Sequence, residues 1–280
     1  MRPSSGGLLR AGLAALLLAC AQPAAAAPER VVSVNVCTDQ LAMLVAAPGQ
    51  LHSVSWLARD PGTSAMAEAA ADWPVNHGRA EEVFVMQPDL VLAGSYTARP
   101  AVDLLRRLGF EVVEFAPETS IEDIRDNLRR MGTVLGQEAR AEAVVAAFDA
   151  ELAAIPSTRG PAPRAVVYNA NSFTAGAGTL SDALVRAAGF ENVAVELGLN
   201  GMTHLPLELL VMSAPDLVIL GERRSPPSVG EAVLDHPALR HLRDSTRPTV
   251  VEDSAWVCGT PATAAAVARL AARRSELAGE

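Results

Sequence analysis

A segment of this sequence occurs twice, and the two copies, 81–94 and 208–221, align without a gap. Each copy begins with a glutamate, and an aspartate that follows a proline and opens an apolar run comes eight residues later. A histidine, His77 or His204, stands four residues before each glutamate. Internal repetition of this kind indicates two similar half-molecules, which we call the N-terminal and C-terminal lobes. Two lobes form a cleft between them, and clefts are where ligands bind.

Short apolar runs alternate with segments of helical spacing along most of the chain. In the N-terminal lobe we predict strands at 30–35, 51–55, 89–93 and 111–115, and helices at 38–47, 81–86 and 98–108. In the C-terminal lobe we predict strands at 164–168, 216–220 and 248–252, and helices at 180–188, 206–212 and 261–277. This alternation predicts parallel sheets with helices on both faces.

The region between the two alternating parts reads as helical. Ser120 opens a capping-box-like start, and a second, longer helix is predicted from Gln137 to Ile155, where Pro156 stops it. The fold class that we expect is therefore α/β, with two Rossmann-like lobes, each a mainly parallel sheet flanked by helices, bridged by a long α-helix. The predicted division is 1–26 signal peptide, 27–119 N-terminal lobe, 120–162 helical bridge and 163–280 C-terminal lobe. Such a stiff bridge favours a largely preformed cleft over a wide hinge motion.

The N-terminus has the pattern of an export signal. Arg2 and Arg10 flank a short positive region, Ala11 to Ala19 is apolar, and small residues from Ala24 to Ala27 follow, with Ala26 the expected last residue of the signal. We therefore expect a soluble periplasmic protein. The alternative is a lipoprotein acylated at Cys20, because residues 17–20 resemble a lipobox.

Most candidate ligand-binding residues come just after predicted strands, since ligands of open α/β sheets sit beyond the carboxyl ends of the strands. His77 and His204 are added because they lie in the loops before the repeated helices, near the cleft. Aromatic faces bury flat ligands, and Arg and Asn bind peripheral amides or carboxylates. Some of these aromatics could instead pack the lobes, and the usual role of a histidine is a structural hydrogen bond. The candidates are Asn35, Cys37, Trp56, Arg59, His77, Tyr96, Arg99, Asn171, Phe173, His204, Arg223 and Trp256.

The remaining chemistry suggests binding rather than catalysis. The net charge of −9 argues against a nucleic-acid partner. There is no nucleophile elbow, no His-Glu-x-x-His and no phosphate-cradling glycine loop, so we expect no enzyme activity and no cofactor. If Cys20 leaves with the signal, Cys37 and Cys258 remain, and an exported protein with two cysteines invites a disulfide. Two unpaired thiols, or thiols that join His77 and His204 in a metal site, are the open alternatives.

The chain resembles the class III periplasmic binding proteins of ABC importers, the ferric-siderophore and cobalamin type. The resemblance rests on Arg30–Asn35, on the Glu and Pro-Asp-Leu-Val block in each lobe, on the helical bridge, and on Trp256 before Pro261 and the last helix. It implies a monomer that captures a metal chelate, such as a corrinoid, a ferric siderophore or heme. It also implies a permease dimer with a cytoplasmic ATPase as the partner. Glu81 and Glu208 would lie on the outer rims of the lobes and dock against arginines of the permease.

One part of the chain departs from the better-known members of that family. Cys37 falls in the first strand-end loop and Cys258 in the last, so both should face the cleft, from opposite lobes. A disulfide between them would restrict opening of the cleft further. This departure leaves the identity of the chelate open, with heme or a free metal as the alternative ligand and an enzyme on the same scaffold as the remaining reading.

Overall fold

The computed structural model describes residues 26–156, 160–221, 223, 228–246, 248–251 and 253–279. The expected signal peptide, apart from its last residue, and the alternative lipid anchor at Cys20 lie outside the described residues. None of the helices that the described residues form combines the length and apolar character needed to cross a bilayer.

The N-terminal lobe is built on a sheet of five parallel strands in the order β3-β2-β1-β4-β5. Its central strands are buried on both faces, which explains why they read as apolar runs. The strands are β1 Val31–Ser33, β2 Leu51–Ser55, β3 Val75–Asn76, β4 Leu90–Gly94 and β5 Val112–Phe115. The helices are α1 Val36–Val45, α2 Ala80–Met86 and α3 Arg99–Arg107.

Two helices, α4 Ile121–Leu135 and α5 Glu138–Ala153, connect the lobes. They can pack closely because residue 132 is a glycine. A Cβ atom at this position would come within 2.6 Å of the Cβ of Ala141. The bridge is therefore a pair of helices, and α5 ends two residues short of the predicted Ile155.

The C-terminal lobe has a similar arrangement, with four strands in its parallel sheet instead of five and with an added two-stranded ribbon. Its strands are β6 Arg164–Tyr168, β7 Phe173–Ala175, β8 Glu191–Asn192, β9 Met202–His204, β10 Leu217–Leu220 and β11 Thr249–Val250. Its helices are α6 Leu180–Ala187, α7 Val193–Glu196, α8 Leu207–Ser213, α9 Pro237–Thr246 and α10 Thr263–Ala278. The parallel sheet has the order β11-β10-β6-β8, whereas β7 and β9 form a separate antiparallel ribbon that the sequence did not predict. The two parallel sheets flanked by helices confirm the expected α/β class.

One hydrophobic core joins the two lobes. It contains Val31 and Leu92 of the first sheet, Ile219 of the second, and Leu128 and Phe148 of the bridge. Helix α4 contacts α1 and α6, and α5 contacts α1 and α10, so each bridge helix packs on both lobes. The division of the chain into two lobes and a separate bridge thus stays a prediction, since the bridge has no core of its own.

Candidate functional site

The two copies of the repeated segment have the same hydrogen bonds. Asp89 accepts a hydrogen bond from the backbone N–H of Arg30 at 3.0 Å, and Asp216 accepts the equivalent bond from Arg164 at 2.7 Å. The strand registers also agree, because the residue after each arginine lies opposite the residue after each aspartate. The repeat in the sequence is therefore a repeat in three dimensions.

The two arginines also fix the helices of the repeat. The guanidinium of Arg30 donates to the carbonyl oxygen of Met86 at 2.6 Å, and that of Arg164 donates to the equivalent carbonyl of Ser213, also at 2.6 Å. These carbonyls lie at the carboxyl ends of α2 and α8, where helices leave carbonyl groups without an internal partner. Each helix is thus held in the same orientation against the start of the first strand of its lobe.

The glutamates of the repeat are exposed on these two helices. Glu81 and Glu208 lie in the first turns of α2 and α8. Val83 and Leu210, two residues later in each copy, are fully buried and turn the opposite face of each helix towards the lobe. Because α2 directly follows the carboxyl end of β3, its first turn lies on the side of the sheet where a ligand would bind. The docking role of the two glutamates stays a prediction.

A cavity of about 190 Å³ lies beyond the carboxyl ends of β1 and β4. Asn35, Cys37, Tyr96 and Glu118 line it from the N-terminal lobe, and Val257 lines it from the C-terminal lobe. Three predicted ligand residues therefore lie in one cavity, which is formed mainly by the N-terminal lobe and to which the C-terminal lobe contributes Val257. Its walls combine an aromatic ring, an amide and a carboxyl group.

Asn35 holds the first helix at this cavity. Its Oδ1 accepts hydrogen bonds from the backbone N–H groups of Cys37 at 3.0 Å and Thr38 at 3.4 Å, which makes it the N-cap of α1. The cap fixes the direction in which the helix leaves β1 and so the position of Cys37.

Cys37 and Cys258 form a disulfide with an S–S distance of 2.09 Å. The bond crosses from the start of α1 to the segment before α10, and it lies beside the cavity that Cys37 lines. Bonded sulfurs are not thiolate ligands, so the alternative metal site with His77 and His204 is wrong. Among the described residues, no group of three or more His, Cys, Asp and Glu side chains is placed to hold a metal ion.

A second connection between the lobes lies next to the disulfide. Glu118 accepts a hydrogen bond from the backbone N–H of Gly259 at 3.1 Å and another from the side chain of Asn127 at 2.6 Å. Burial raises the pKa of the Glu118 carboxyl above its ordinary value, although these hydrogen bonds oppose the shift. A Cβ at Gly259 would come within 2.4 Å of Cγ of Glu118. Sequence reasoning missed this pair, and its one available signal was a glycine directly after Cys258.

The three predicted ligand arginines are all engaged within their own lobes. Arg59 donates to three backbone carbonyl groups of the segment after it. Arg223 forms a bidentate ion pair with Asp235, in which its two terminal nitrogens lie 2.9 and 3.0 Å from the carboxylate oxygens. Arg99 lies 3.5 Å from Glu114. The guanidinium groups of Arg59 and Arg223 thus already bond to protein oxygens, and the ligand roles of all three arginines stay predictions.

The predicted aromatic residues divide into exposed and buried. Tyr96 is 88% exposed at the cavity, and Trp56 is 50% exposed directly after β2. Trp256 is 6% exposed, packs in the core that joins the lobes and is not among the residues that line the cavity, so its ligand role stays a prediction. Its neighbour Val257 lines the cavity instead.

The two repeated histidines have different surroundings. The His77 ring lies 3.2 Å from Glu82, whereas the His204 ring stacks on Phe173 with a centroid distance of 4.2 Å. Asn171 is exposed and its side chain lies against Gly230, where an added Cβ would come within 2.6 Å of it. These residues are not among those that line the cavity, so their ligand roles stay predictions.

Comparison with known proteins identifies what this arrangement resembles. Residues 31–246 match the profile of a family described as periplasmic binding protein. The cobalamin-binding protein of Halobacterium salinarum is 29% identical over 199 residues, which cover 69% of this chain and 54% of that protein. The chain thus spans about half the length of the curated relatives that it matches.

Two solved structures share the fold over nearly their whole length. The periplasmic heme-binding protein RhuT from Roseiflexus sp. RS-1 superposes with a TM-score of 0.74 at 21% identity, covering 89% of this chain and 99% of that one. The periplasmic vitamin B12 binding protein BtuF of Vibrio cholerae superposes with a TM-score of 0.63 at 16% identity, covering 90% and 99%. At these identities the likeness shows the fold.

Proposed function

This chain belongs to the periplasmic binding protein family, and we propose that it is the extracytoplasmic solute-binding subunit of an ABC importer that captures a metal chelate between its lobes. The observation that supports this most directly is a cavity lined by both lobes, beside a disulfide and a hydrogen bond that connect them. The chelate is a corrinoid or a ferric siderophore. The cobalamin-binding relative makes a corrinoid the first compound to test.

The size of the cavity indicates how such a ligand would bind. Sites for drug-sized ligands have volumes of roughly 300–1,000 Å³, whereas this cavity has about 190 Å³. We infer that only one edge of the chelate enters it, and that the rest lies between the lobes. Asn35 and Glu118 would then meet polar groups at that edge, and the Tyr96 ring would cover a flat face of the ligand.

The connections between the lobes favour a preformed site. The disulfide, the bond from Glu118 to Gly259, and the packing of α4 and α5 on both lobes all oppose separation of the lobes. A site that changes little on binding loses less free energy to ordering when the ligand arrives. Any opening of the lobes that admits the chelate would therefore be small.

Delivery would use the exposed glutamates of the repeat. Glu81 and Glu208 place one carboxylate on each lobe, and a permease dimer with one cation per subunit would match them. Chelate transport would then need both carboxylates, whereas chelate binding would need neither.

Native mass spectrometry of the mature chain with cobalamin, hemin and a ferric hydroxamate tests the ligand assignment. We expect a one-to-one complex with cobalamin or with the hydroxamate, and we expect the ligand to be released with unchanged mass. Tyr96→Ala should weaken that complex, while the matched change Tyr168→Phe, at a buried tyrosine, should not. Binding of hemin alone would favour the heme alternative, and a ligand of altered mass would indicate an enzyme.

Uptake measurements test the docking role separately. The double variant Glu81→Gln and Glu208→Gln should abolish uptake of the chelate and leave its dissociation constant unchanged. Glu151→Gln, at an exposed glutamate of α5, serves as the matched control and should transport normally. A loss of chelate affinity in the double variant would contradict the assignment.

A further inference from the structure

Two large apolar side chains are exposed at the same position of the two repeats. Val85 on α2 is 80% exposed and Met212 on α8 is 79% exposed. In the part of the chain that the structure describes, only Tyr96 and Val229 among large apolar residues are also more than 60% exposed. Singly scattered apolar residues are normal on a surface, but a matched pair on repeated helices is not explained by chance scatter.

The exposure of this pair follows from how the helices are held. Val85 and Met212 lie two residues after the fully buried Val83 and Leu210, which is about 200° around the helix, and they therefore point outward. The bonds from Arg30 to α2 and from Arg164 to α8 set the same orientation in both lobes. Val85 and Met212 therefore have equivalent orientations on their lobes.

Each exposed apolar side chain shares a helix face with the glutamate of its repeat. Glu81 precedes Val85 by four residues, and Glu208 precedes Met212 by four, so the members of each pair are neighbours on the surface. Each lobe therefore presents a carboxylate with an apolar side chain about one helical turn, roughly 6 Å, from it. We call these two pairs the docking pairs.

We propose that the permease contacts both members of each docking pair, with a cation for the glutamate and an apolar recess beside it for Val85 or Met212. This inference rests on the proposed function and specifies the chemistry of its partner. A carboxylate alone would distinguish this surface poorly from the rest of the protein, because the whole chain is acidic, with a net charge of −9. Val85 and Met212 would become buried on docking. They would then supply a short-range contact, which long-range electrostatic attraction does not provide.

The residues around the two docking pairs are not identical. The residue after the glutamate is Glu82 in the N-terminal lobe, where it pairs with His77. In the C-terminal lobe it is Leu209, which is 44% exposed. Each pair also has a partly exposed apolar residue directly before its exposed apolar member, Phe84 (46% exposed) or Val211 (39% exposed), so changes at Val85 and at Met212 should weaken docking to a similar extent.

The test adds negative charge beside the two glutamates. This change would strengthen a purely electrostatic contact with a cation, whereas it would weaken an apolar contact. The double variant Val85→Glu and Met212→Glu, as the full mature chain, is titrated onto the permease–ATPase complex of its own source organism in lipid nanodiscs. We expect binding at least about tenfold weaker than for the unaltered chain, since loss of one buried aliphatic contact corresponds to about that factor. Cobalamin binding should remain unchanged, because neither residue is among those that line the cavity.

Two matched controls separate the effect of position from that of charge. Leu108→Glu with Leu277→Glu adds the same charge at partly exposed apolar positions of both lobes outside the docking pairs, and it should bind normally. Val85→Ile with Met212→Leu keeps the apolar character and should bind within about twofold.

The outcomes distinguish this inference from the proposed function. If the unaltered chain binds the nanodiscs and the Val85→Glu, Met212→Glu variant binds as well or better, the apolar recess is refuted and the importer assignment remains. If the unaltered chain does not bind the permease, both are refuted. Sedimentation that shows a dimer of the unaltered chain and a monomer of the variant would assign the exposed pair to contacts between copies of this chain instead.

Discussion

The disulfide between Cys37 and Cys258 should contribute strongly to stability. The cysteines are 221 residues apart in the chain, so the bond closes almost the whole described chain into one loop. The loss of chain entropy in the unfolded state then corresponds to about 5 kcal/mol of unfolding free energy. The variant Cys37→Ser with Cys258→Ser should therefore unfold with a free energy lower by about that amount.

Equilibrium unfolding in urea, followed by tryptophan fluorescence and by circular dichroism, measures this loss. The two signals should coincide, because one core joins the two lobes and favours a single transition. The slope of the unfolding free energy against urea should be steeper in the variant, because its unfolded chain exposes more surface without the cross-link. The unaltered chain in reducing agent serves as the control and should unfold at the midpoint of the variant.

Two results would refute this reasoning. A loss below about 1 kcal/mol would mean that the unfolded chain is already confined without the bond, or that native strain offsets the entropic gain. Two separate transitions in the variant, one for each lobe, would mean that the disulfide and not the shared core couples the lobes.

Three further predictions concern single positions. Burial raises the pKa of Asp39 from 3.8 to about 6, so the folded state favours the protonated form and stability is lost as the pH rises from about 4 through 6. Asp39→Asn should remove this loss and raise the free energy of unfolding at pH 8 by up to about 3 kcal/mol. Equal pH dependence of stability in the two proteins would contradict this prediction. Gly259→Ala should cost about 1–3 kcal/mol in urea unfolding, because the new methyl group meets Glu118, whereas Gly62→Ala, whose Cβ would meet only an ordinary contact at 3.4 Å, should cost less. If the half-exposed Trp56 faces the ligand, cobalamin should quench the fluorescence of the unaltered chain, and Trp56→Phe should lose most of that quenching.

The buried strands β4, β6 and β10 were predictable because each has an apolar run of four residues, whereas β1 covers only Val31–Ser33 of the predicted 30–35. The strands at 51–55 and 164–168 have the predicted bounds, and the helices of the two repeats begin within one residue of the prediction. The antiparallel ribbon of β7 and β9 was not predicted, because each strand has only three residues and carries no sustained alternation. Short strands are defined by the partner beside them, and a partner 29 residues away leaves no local signal.

The site was predictable in position and less so in composition. The rule that ligands lie beyond the strand ends found Asn35, Cys37 and Tyr96, because β1 and β4 are adjacent in the sheet and bring their loops together. It did not predict that Trp256 packs in the core or that Arg59 bonds to nearby carbonyl groups, because a strand-end position does not show where a side chain turns. Such outcomes depend on contacts between distant segments, which one sequence does not reveal.

The positions at which the two lobes agree differ in kind from those at which they do not. The aspartates, the arginines that hold the helices, the exposed glutamates and the exposed apolar residues occur in both lobes with the same geometry. The cavity, by contrast, has Tyr96 and Glu118 on one side and Val257 on the other. Even the repeated histidines diverge, since His77 pairs with Glu82 while His204 stacks on an aromatic ring.

The permease dimer of the proposed importer would explain this separation. A dimeric permease presents the same surface twice, so a bilobed protein that docks on it needs the same features on both lobes. A chelate lacks that symmetry, so the residues around it need not repeat. Exchanging the residues of one docking pair for those of the other, Val85→Met with Met212→Val, should therefore leave transport nearly unchanged. If that exchange abolished uptake while chelate binding persisted, the permease would read the two lobes differently, and the symmetry that connects the repeat to docking would be wrong.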